Sequence, residues 1–120
     1  MRPPLIVDEH GDLALFRDAA AMEGYLEAID VHNGEYLVYD SEGRRIELTT
    51  SEVPTRAIFG LLKGTAEVVR VGGYEADPTH AAELASKLRD TLEHLNEPVP
   101  ARASLAELLD RLHQRAGFVA

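Results

Sequence analysis

Apolar and polar positions at the start of the chain predict a β-hairpin followed by a helix. Residues 5–8 and 12–16 are short apolar segments around Glu9-His10-Gly11, which suits a three-residue loop with glycine in the left-handed conformation. After Asp18, a candidate N-cap, apolar residues recur at helical spacing at Met22, Tyr25, Leu26 and Ile29. We expect one helix here, ending before Asn33-Gly34.

The middle of the chain predicts further strands. Residues 35–40 and 44–50 alternate in polarity on either side of Ser41-Glu42-Gly43, which repeats the turn chemistry of the first hairpin. Residues 65–74 are rich in valine and favour another strand. Residues 51–64 fit either a short helix after their proline or a loop packed onto the core.

Two amphipathic helices are predicted at the C-terminal end. Asp77-Pro78-Thr79 places a capping residue before a proline, and an apolar stripe follows as far as Asn96. Residues 97–103, which contain two prolines, form a stiff connector. Ser104-Leu105-Ala106-Glu107 then matches a capping box, and Gly117 is the stop signal.

Strands in adjacent hairpins, with helices between and after them, predict the α+β class. We expect a mostly antiparallel sheet of about five short strands, one helix inserted after the first hairpin and two helices at the C-terminus. The helices should cover one face of this sheet and leave the other face or an edge free for a partner. The chain of 120 residues, 45% hydrophobic and 28% charged, fits a single globular domain spanning residues 1–120.

Composition excludes several classes of function. The chain has no cysteine, which removes disulfides, thiolate nucleophiles and thiolate metal sites. Only three apolar residues lie between Pro4 and Asp8, too few for a signal peptide, and no apolar run reaches the length of a membrane span. We therefore expect a cytoplasmic protein. A net charge of -9 argues against nucleic-acid binding.

Catalytic and metal-binding patterns are absent from the sequence. Asp8, Glu9, His10 and Asp12 form the densest group of ligand-type residues, but their spacing suits a solvated turn and matches no known metal motif. None of the five histidines pairs with another at helical i,i+4 spacing. The serines lack the context of an activated nucleophile, and no phosphate-binding loop is present. We expect no catalytic residue, no metal and no cofactor.

Charge is distributed unevenly along the chain. Residues 1–50 contain 11 carboxylates and 4 arginines, whereas residues 51–120 contain 10 carboxylates and 8 lysines or arginines. A small acidic surface with aromatic residues suits the binding of a basic partner, with carboxylates steering association and Tyr36 or Tyr39 as a partly buried anchor. The alternative is that these carboxylates only keep the surface solvated. The predicted partner-binding residues are Glu23, Glu27, Asp30, Glu35, Tyr36, Tyr39, Asp40 and Glu42.

Four runs in the first 50 residues resemble small bacterial immunity proteins. They are PLIVDEHGDL at 4–13, YLEAIDV at 25–31, NGEY at 33–36 and YDSEGR at 39–44. Such proteins are encoded beside toxins that are delivered between competing cells. The resemblance implies a non-enzymatic inhibitor, held in the cytoplasm of the producing cell, that binds and neutralises a cognate toxin domain with a basic surface.

Two other classes of function stay open. One is a small regulatory or ligand-binding domain that forms a homodimer through the leucine face of the last helix, composed of Leu105, Leu108, Leu109 and Leu112. The other is a small hydrolase or lyase that uses two carboxylates. A pocket enclosing two close acids would favour that enzyme.

Overall fold

The computed structural model describes residues 1–56 and 63–119. The α+β prediction is confirmed, because the strands form one antiparallel sheet in the order β2-β1-β3-β4-β5 and two helices follow it. In chain order, the elements are β1 (Leu5–Glu9), β2 (Asp12–Phe16), α1 (Ala19–Tyr25), α2 (Ala28–His32), β3 (Tyr36–Tyr39), β4 (Arg45–Arg56), β5 (Lys63–Tyr74), α3 (Ala81–His94) and α4 (Leu105–Ala116).

The first hairpin is tighter than predicted. β1 pairs with β2 in a register that places Glu9 opposite Asp12, so only His10 and Gly11 form the loop. Both loop residues have positive φ angles, 52° and 95°, as in the type I′ turns that connect two-residue hairpins. The expected three-residue loop was therefore wrong by one residue, because Glu9 belongs to β1.

The single helix predicted after the first hairpin is divided into two. Asp18 is the N-cap as predicted, since its carboxylate accepts a hydrogen bond from the backbone N–H of Ala21 at 2.8 Å. The chain leaves the helical conformation at Leu26, whose ψ angle is 149°, and Glu27 is also extended. Two short helices, α1 and α2, therefore replace one longer helix.

β4 and β5 form a ribbon that is longer than the rest of the sheet. Each has 12 residues, and β3 pairs with only the first two residues of β4. The sequence predicted a short helix or a loop at residues 51–64, and this prediction is wrong for the residues that the structure describes. Residues 51–56 continue β4 and residues 63–64 begin β5, whereas residues 57–62 lie outside the described residues. Pro54 lies opposite Thr65, and its other side pairs with no described strand, which is the position where a sheet tolerates proline.

Helices cover both faces of the sheet, so the expectation of one covered face was wrong. Leu5 and Val7 point to one face and pack in a core cluster with Met22 of α1. Ile6 points to the other face and packs in a second cluster with leucines of α3 and α4, such as Leu88. All three β1 residues are buried, which is typical of a strand enclosed between two layers.

The C-terminal helices follow the predicted capping pattern only in part. α3 begins after His80, so the start signal at residues 77–79 lies one turn too early. The capping box of α4 is formed as predicted, because the Ser104 hydroxyl accepts a hydrogen bond from the backbone N–H of Glu107 at 3.2 Å. Gly117 is the C-cap of α4, with a positive φ of 74°.

The leucine face of α4 lies inside the protein. Leu108, Leu109 and Leu112 are at most 6% exposed, and they pack in the same cluster as Ile6 and the leucines of α3, with Leu105 partly buried against it. This face is therefore occupied within the chain and is not available as the dimer surface considered above. None of the described helices has the length and apolar character needed to cross a membrane.

Candidate functional site

β3 divides the predicted partner-binding residues between two ends of the sheet. β1 and β3 are antiparallel, with Glu9 opposite Tyr36, so the turn of the first hairpin lies beside the start of β3. We call residues 8–12 and 30–36 the hairpin-1 end. Residues 40–44, which follow the last residue of β3, form the hairpin-2 end, and the four residues of β3 place the two ends about 13 Å apart.

Tyr39 lies in the core between these ends. It is 0% exposed, and its hydroxyl donates a hydrogen bond to Oε2 of Glu83 at 2.7 Å. Arg45 and Lys87 each place a cationic group 5.4 Å from the centre of its ring. Tyr39 has no exposed surface in this fold, which rules it out as the partly buried interface anchor expected from the sequence.

Asp40 organises the hairpin-2 end from a fully buried position. Its carboxylate accepts hydrogen bonds from the backbone N–H groups of Arg2, Glu42 and Arg44 at 2.9, 3.0 and 2.8 Å, and from the Arg44 guanidinium at 3.3 Å. Burial disfavours the charged carboxylate, but these donors outweigh burial and lower the pKa of Asp40. Arg44 also pairs with Glu42 at 2.7 Å. The acidic groups at this end therefore have donors within the chain.

The two glutamates predicted on the helix have different environments. Glu23 accepts a hydrogen bond from the backbone N–H of Val71 at 2.8 Å and so connects α1 to β5. Glu27 lies between α1 and α2, is exposed, and makes no side-chain capping bond. Glu23 therefore supports the fold, whereas Glu27 is accessible to a partner.

The hairpin-1 end brings three of the predicted residues together. The Tyr36 hydroxyl donates a hydrogen bond to Oδ2 of Asp30 at 3.0 Å, and burial together with this carboxylate raises the pKa of Tyr36 to about 12. Oε2 of Glu35 contacts Nε2 of His10 in the first turn, and this contact raises the pKa of His10. The β3 side of the sheet is thereby joined to the first hairpin through a histidine and a carboxylate.

Asp8 connects the first hairpin to α3. It is only 7% exposed, and its Oδ1 accepts a hydrogen bond from the backbone N–H of Gly11 at 2.7 Å. Its Oδ2 forms an ion pair with Nζ of Lys87. Burial of Lys87 opposes its charge, but hydrogen bonds to Asp8 and Tyr39 outweigh burial and raise the pKa of Lys87. Both oxygens of Asp8 are therefore engaged within the fold.

A cavity of about 660 Å³ lies between the first hairpin and the helices α3 and α4. Its apolar lining includes Leu13, Leu95 and Leu112, and its rim carries Asp12 and Asp90. Both aspartates are exposed, and neither side-chain carboxylate makes a hydrogen bond or ion pair with a described residue. This volume falls within the range typical of ligand sites.

Sequence reasoning missed two kinds of surface residue. Tyr25 and Ile29 belong to the apolar spacing that predicted one helix, yet they are 56% and 63% exposed in the two short helices that replace it. Gly24, a poor helix former, is the local signal for the break. Lys87 joins the first hairpin through its ion pair with Asp8, across a separation of 79 residues, and Asp90 lines the same cavity as Asp12. No local pattern signals such a contact.

The chemistry available at the hairpin-1 end is that of a binding surface for cations. In residues 1–56 and 63–119, no group of three or more histidine, aspartate or glutamate side chains is arranged to hold a metal ion. The free carboxylates at the cavity rim can accept charge-assisted hydrogen bonds from ammonium or guanidinium groups. No protein-family model, no curated protein and no solved structure matches this chain.

Proposed function

We propose that this chain is an immunity protein, a non-enzymatic inhibitor that binds and neutralises a cognate bacterial toxin domain with a basic surface. The proposal places the inhibitor in the cytoplasm of the cell that produces the toxin. The observation that carries it is the charge imbalance at the hairpin-1 end, where accessible carboxylates outnumber the cations. The exposed or half-exposed carboxylates of this end are Glu9, Asp12, Asp30 and Glu35. Two exposed carboxylates lie next to it: Glu27, whose backbone contacts Tyr36, and Asp90, which lines the same cavity as Asp12.

Lys87, His10 and His32 each have a carboxylate partner within the chain, which for His32 is Glu67. Lys87 is paired with the buried Asp8, and His10 contacts Glu35. A net charge of -9 adds a long-range field of the same sign. Such a surface accelerates the association of a basic partner and disfavours acidic partners.

Apolar surface beside the carboxylates supports protein binding. Ile29, 63% exposed, lies directly before Asp30 on α2, and Tyr36 is half-buried next to the same carboxylate. Interfaces in which carboxylates surround exposed apolar and tyrosine side chains gain stability from the apolar contacts and specificity from the charges. In this arrangement Tyr36, rather than Tyr39, is the tyrosine placed to contact a partner.

Co-expression tests this proposal directly. The toxic domain encoded in the neighbouring reading frame should kill the host when expressed alone, and this chain should restore growth and co-purify with that domain. The double variant Glu27→Lys with Glu35→Lys should slow association about 10- to 100-fold at low salt and reduce its salt dependence. Surface plasmon resonance at two salt concentrations measures both effects.

A matched control distinguishes the effect of charge at the hairpin-1 end from the effect of the net charge of the protein. Asp77→Lys with Asp110→Lys makes the same change in net charge at two exposed positions, before α3 and on α4, and Asp110 lines a cavity with Glu42 of the hairpin-2 end. This control should reduce the association rate by no more than about threefold. Failure of the wild-type chain to protect or to bind the neighbouring toxic domain would refute the immunity function. Equal losses in the two double variants would refute the placement of its surface.

A further inference from the structure

The cavity beside the first hairpin combines an apolar interior with a negatively charged rim. Its interior is lined by Leu13 at the start of β2, Leu95 after α3 and Leu112 of α4. Its rim carries Asp12 from the hairpin and Asp90 from α3. These two carboxylates come from elements that are distant in sequence, and both line the same cavity.

The positive charge of Lys87 does not cancel the charge of this rim. Lys87 also lines the cavity, but its ammonium group is paired with Asp8, which is 7% exposed. The Asp8–Lys87 pair is neutral as a unit. Asp12 and Asp90 then leave two negative charges at the opening, where each lacks a partner among the described residues.

We propose that this cavity binds an arginine side chain of the partner protein. This inference rests on the proposed function, because the arginine would come from the basic surface of the toxin. The apolar stem of arginine matches the leucine-lined interior, and its guanidinium carries five N–H donors that can reach two separate carboxylates at once. His10 lines the cavity and contacts Glu35, so the cavity lies next to the start of β3.

A small probe tests the cavity without the toxin. N-acetyl-arginine amide, titrated into the isotopically labelled chain, should shift the backbone amide resonances around Asp12 and Asp90 in a saturable way, with a Kd of about 1–20 mM. N-acetyl-norleucine amide has a similar apolar stem without the charge and should bind at least about fivefold more weakly.

Variants that remove carboxylate charges test whether the arginine probe binds at the cavity. Asp12→Asn with Asp90→Asn keeps the size of both exposed side chains and should weaken binding of the arginine probe at least about fivefold. The matched control Glu52→Gln with Asp77→Asn removes the same charge at remote exposed positions and should change the Kd less than twofold. Matching amide spectra outside the cavity establish that the variants are folded.

The outcomes separate this inference from the proposed function. The cavity assignment is overturned if the arginine probe causes no saturable shifts up to 50 mM, if norleucine amide binds as tightly, or if the cavity variant binds like the control. A chain that binds the toxin domain but not the probe keeps the immunity function and loses the arginine site. A chain that binds the probe at the cavity but no toxin domain keeps the site and loses the immunity function.

Discussion

The two hairpin turns share the pattern Asp-x-x-Gly, yet their aspartates have different roles. At the hairpin-2 end, Asp40 accepts four hydrogen bonds, all from the N-terminal segment and its own turn. At the hairpin-1 end, Asp8 accepts one hydrogen bond from its turn, from Gly11, and pairs with Lys87 of α3. The same turn chemistry therefore produces one end whose aspartate is bound within its own turn and the N-terminal segment, and one end whose aspartate is also bound to α3.

The glycines of the two turns differ in the same way. A Cβ atom added to Gly11 would meet no atom within 4 Å, whereas one added to Gly43 would lie 2.3 Å from Cα of Ala81. The hairpin-2 turn also accepts a hydrogen bond from the backbone N–H of His80 at 3.0 Å. A shared motif thus fixes the local backbone, while the neighbouring helix decides how much of the turn stays accessible.

Substitution of the two glycines should give the largest difference between the ends. Gly43→Ala should lower the free energy of unfolding by roughly 3–5 kcal/mol, because a positive φ of 93° and contact with the α3 backbone both oppose the new methyl group. Gly11→Ala has only the positive φ to oppose it and should cost about 1–2 kcal/mol. Urea unfolding measures both values. Equal losses would contradict the close packing of the hairpin-2 turn.

Substitution of the two aspartates should have a smaller but parallel effect. Asp40→Asn should cost roughly 2–4 kcal/mol, because one amide cannot replace a buried carboxylate that accepts four hydrogen bonds. Asp8→Asn should cost about 1–2 kcal/mol, because Lys87 keeps 24% of its side chain exposed and can turn toward water. Thermal and urea unfolding of both variants give these values. A larger loss of stability for Asp8→Asn than for Asp40→Asn would contradict the stronger contribution expected from the hairpin-2 end.

The smallest effect is a pH dependence of opposite sign at the two ends. Contact with Glu35 raises the pKa of His10 above 6.5, so this pair stabilises the fold below that pH and its contribution is lost as pH rises. The pKa of Asp40 lies below 3.8, so its contribution is present above that pH and is lost as pH falls.

Unfolding midpoints across pH test these two signs separately. His10→Gln should flatten the small rise in stability of the wild-type protein as pH falls from about 8 to about 5. Asp40→Asn should flatten the loss of stability below about pH 4. A His10→Gln profile parallel to that of the wild type would mean that the contact with Glu35 does not stabilise the fold.

Much of the fold could be predicted because its signals are local. The cap at Asp18, the capping box of α4 and the strand alternation around β3 each depend on residues within one turn or one hairpin. The length of β4 could not be predicted, because Pro54 is a strand breaker unless one side of the strand is unpaired. The pairing of β4, a tertiary property, leaves one side of the strand free at Pro54 and so allows the strand to continue through it.

The candidate site was predictable only in its composition. The sequence indicated an acidic first half, but it could not show that Tyr39 and Asp40 are fully buried while Tyr36 stays half-exposed. Tyr39 is covered by α3, whose residue Glu83 binds its hydroxyl across a separation of 44 residues, and Asp40 is bound by Arg2 across 38 residues. Contacts of this length leave no periodic pattern in the sequence.

By itself, the sequence determined the fold class, the turns, the helix caps of α1 and α4, and the excess of carboxylates in the first half. Only the tertiary structure decided which carboxylates remain available to a partner. The physical reason is that a turn or a cap is stabilised by neighbouring residues in the chain. The exposure of a charge depends instead on the donors that distant elements bring to it, as Arg2 does for Asp40 and Lys87 does for Asp8.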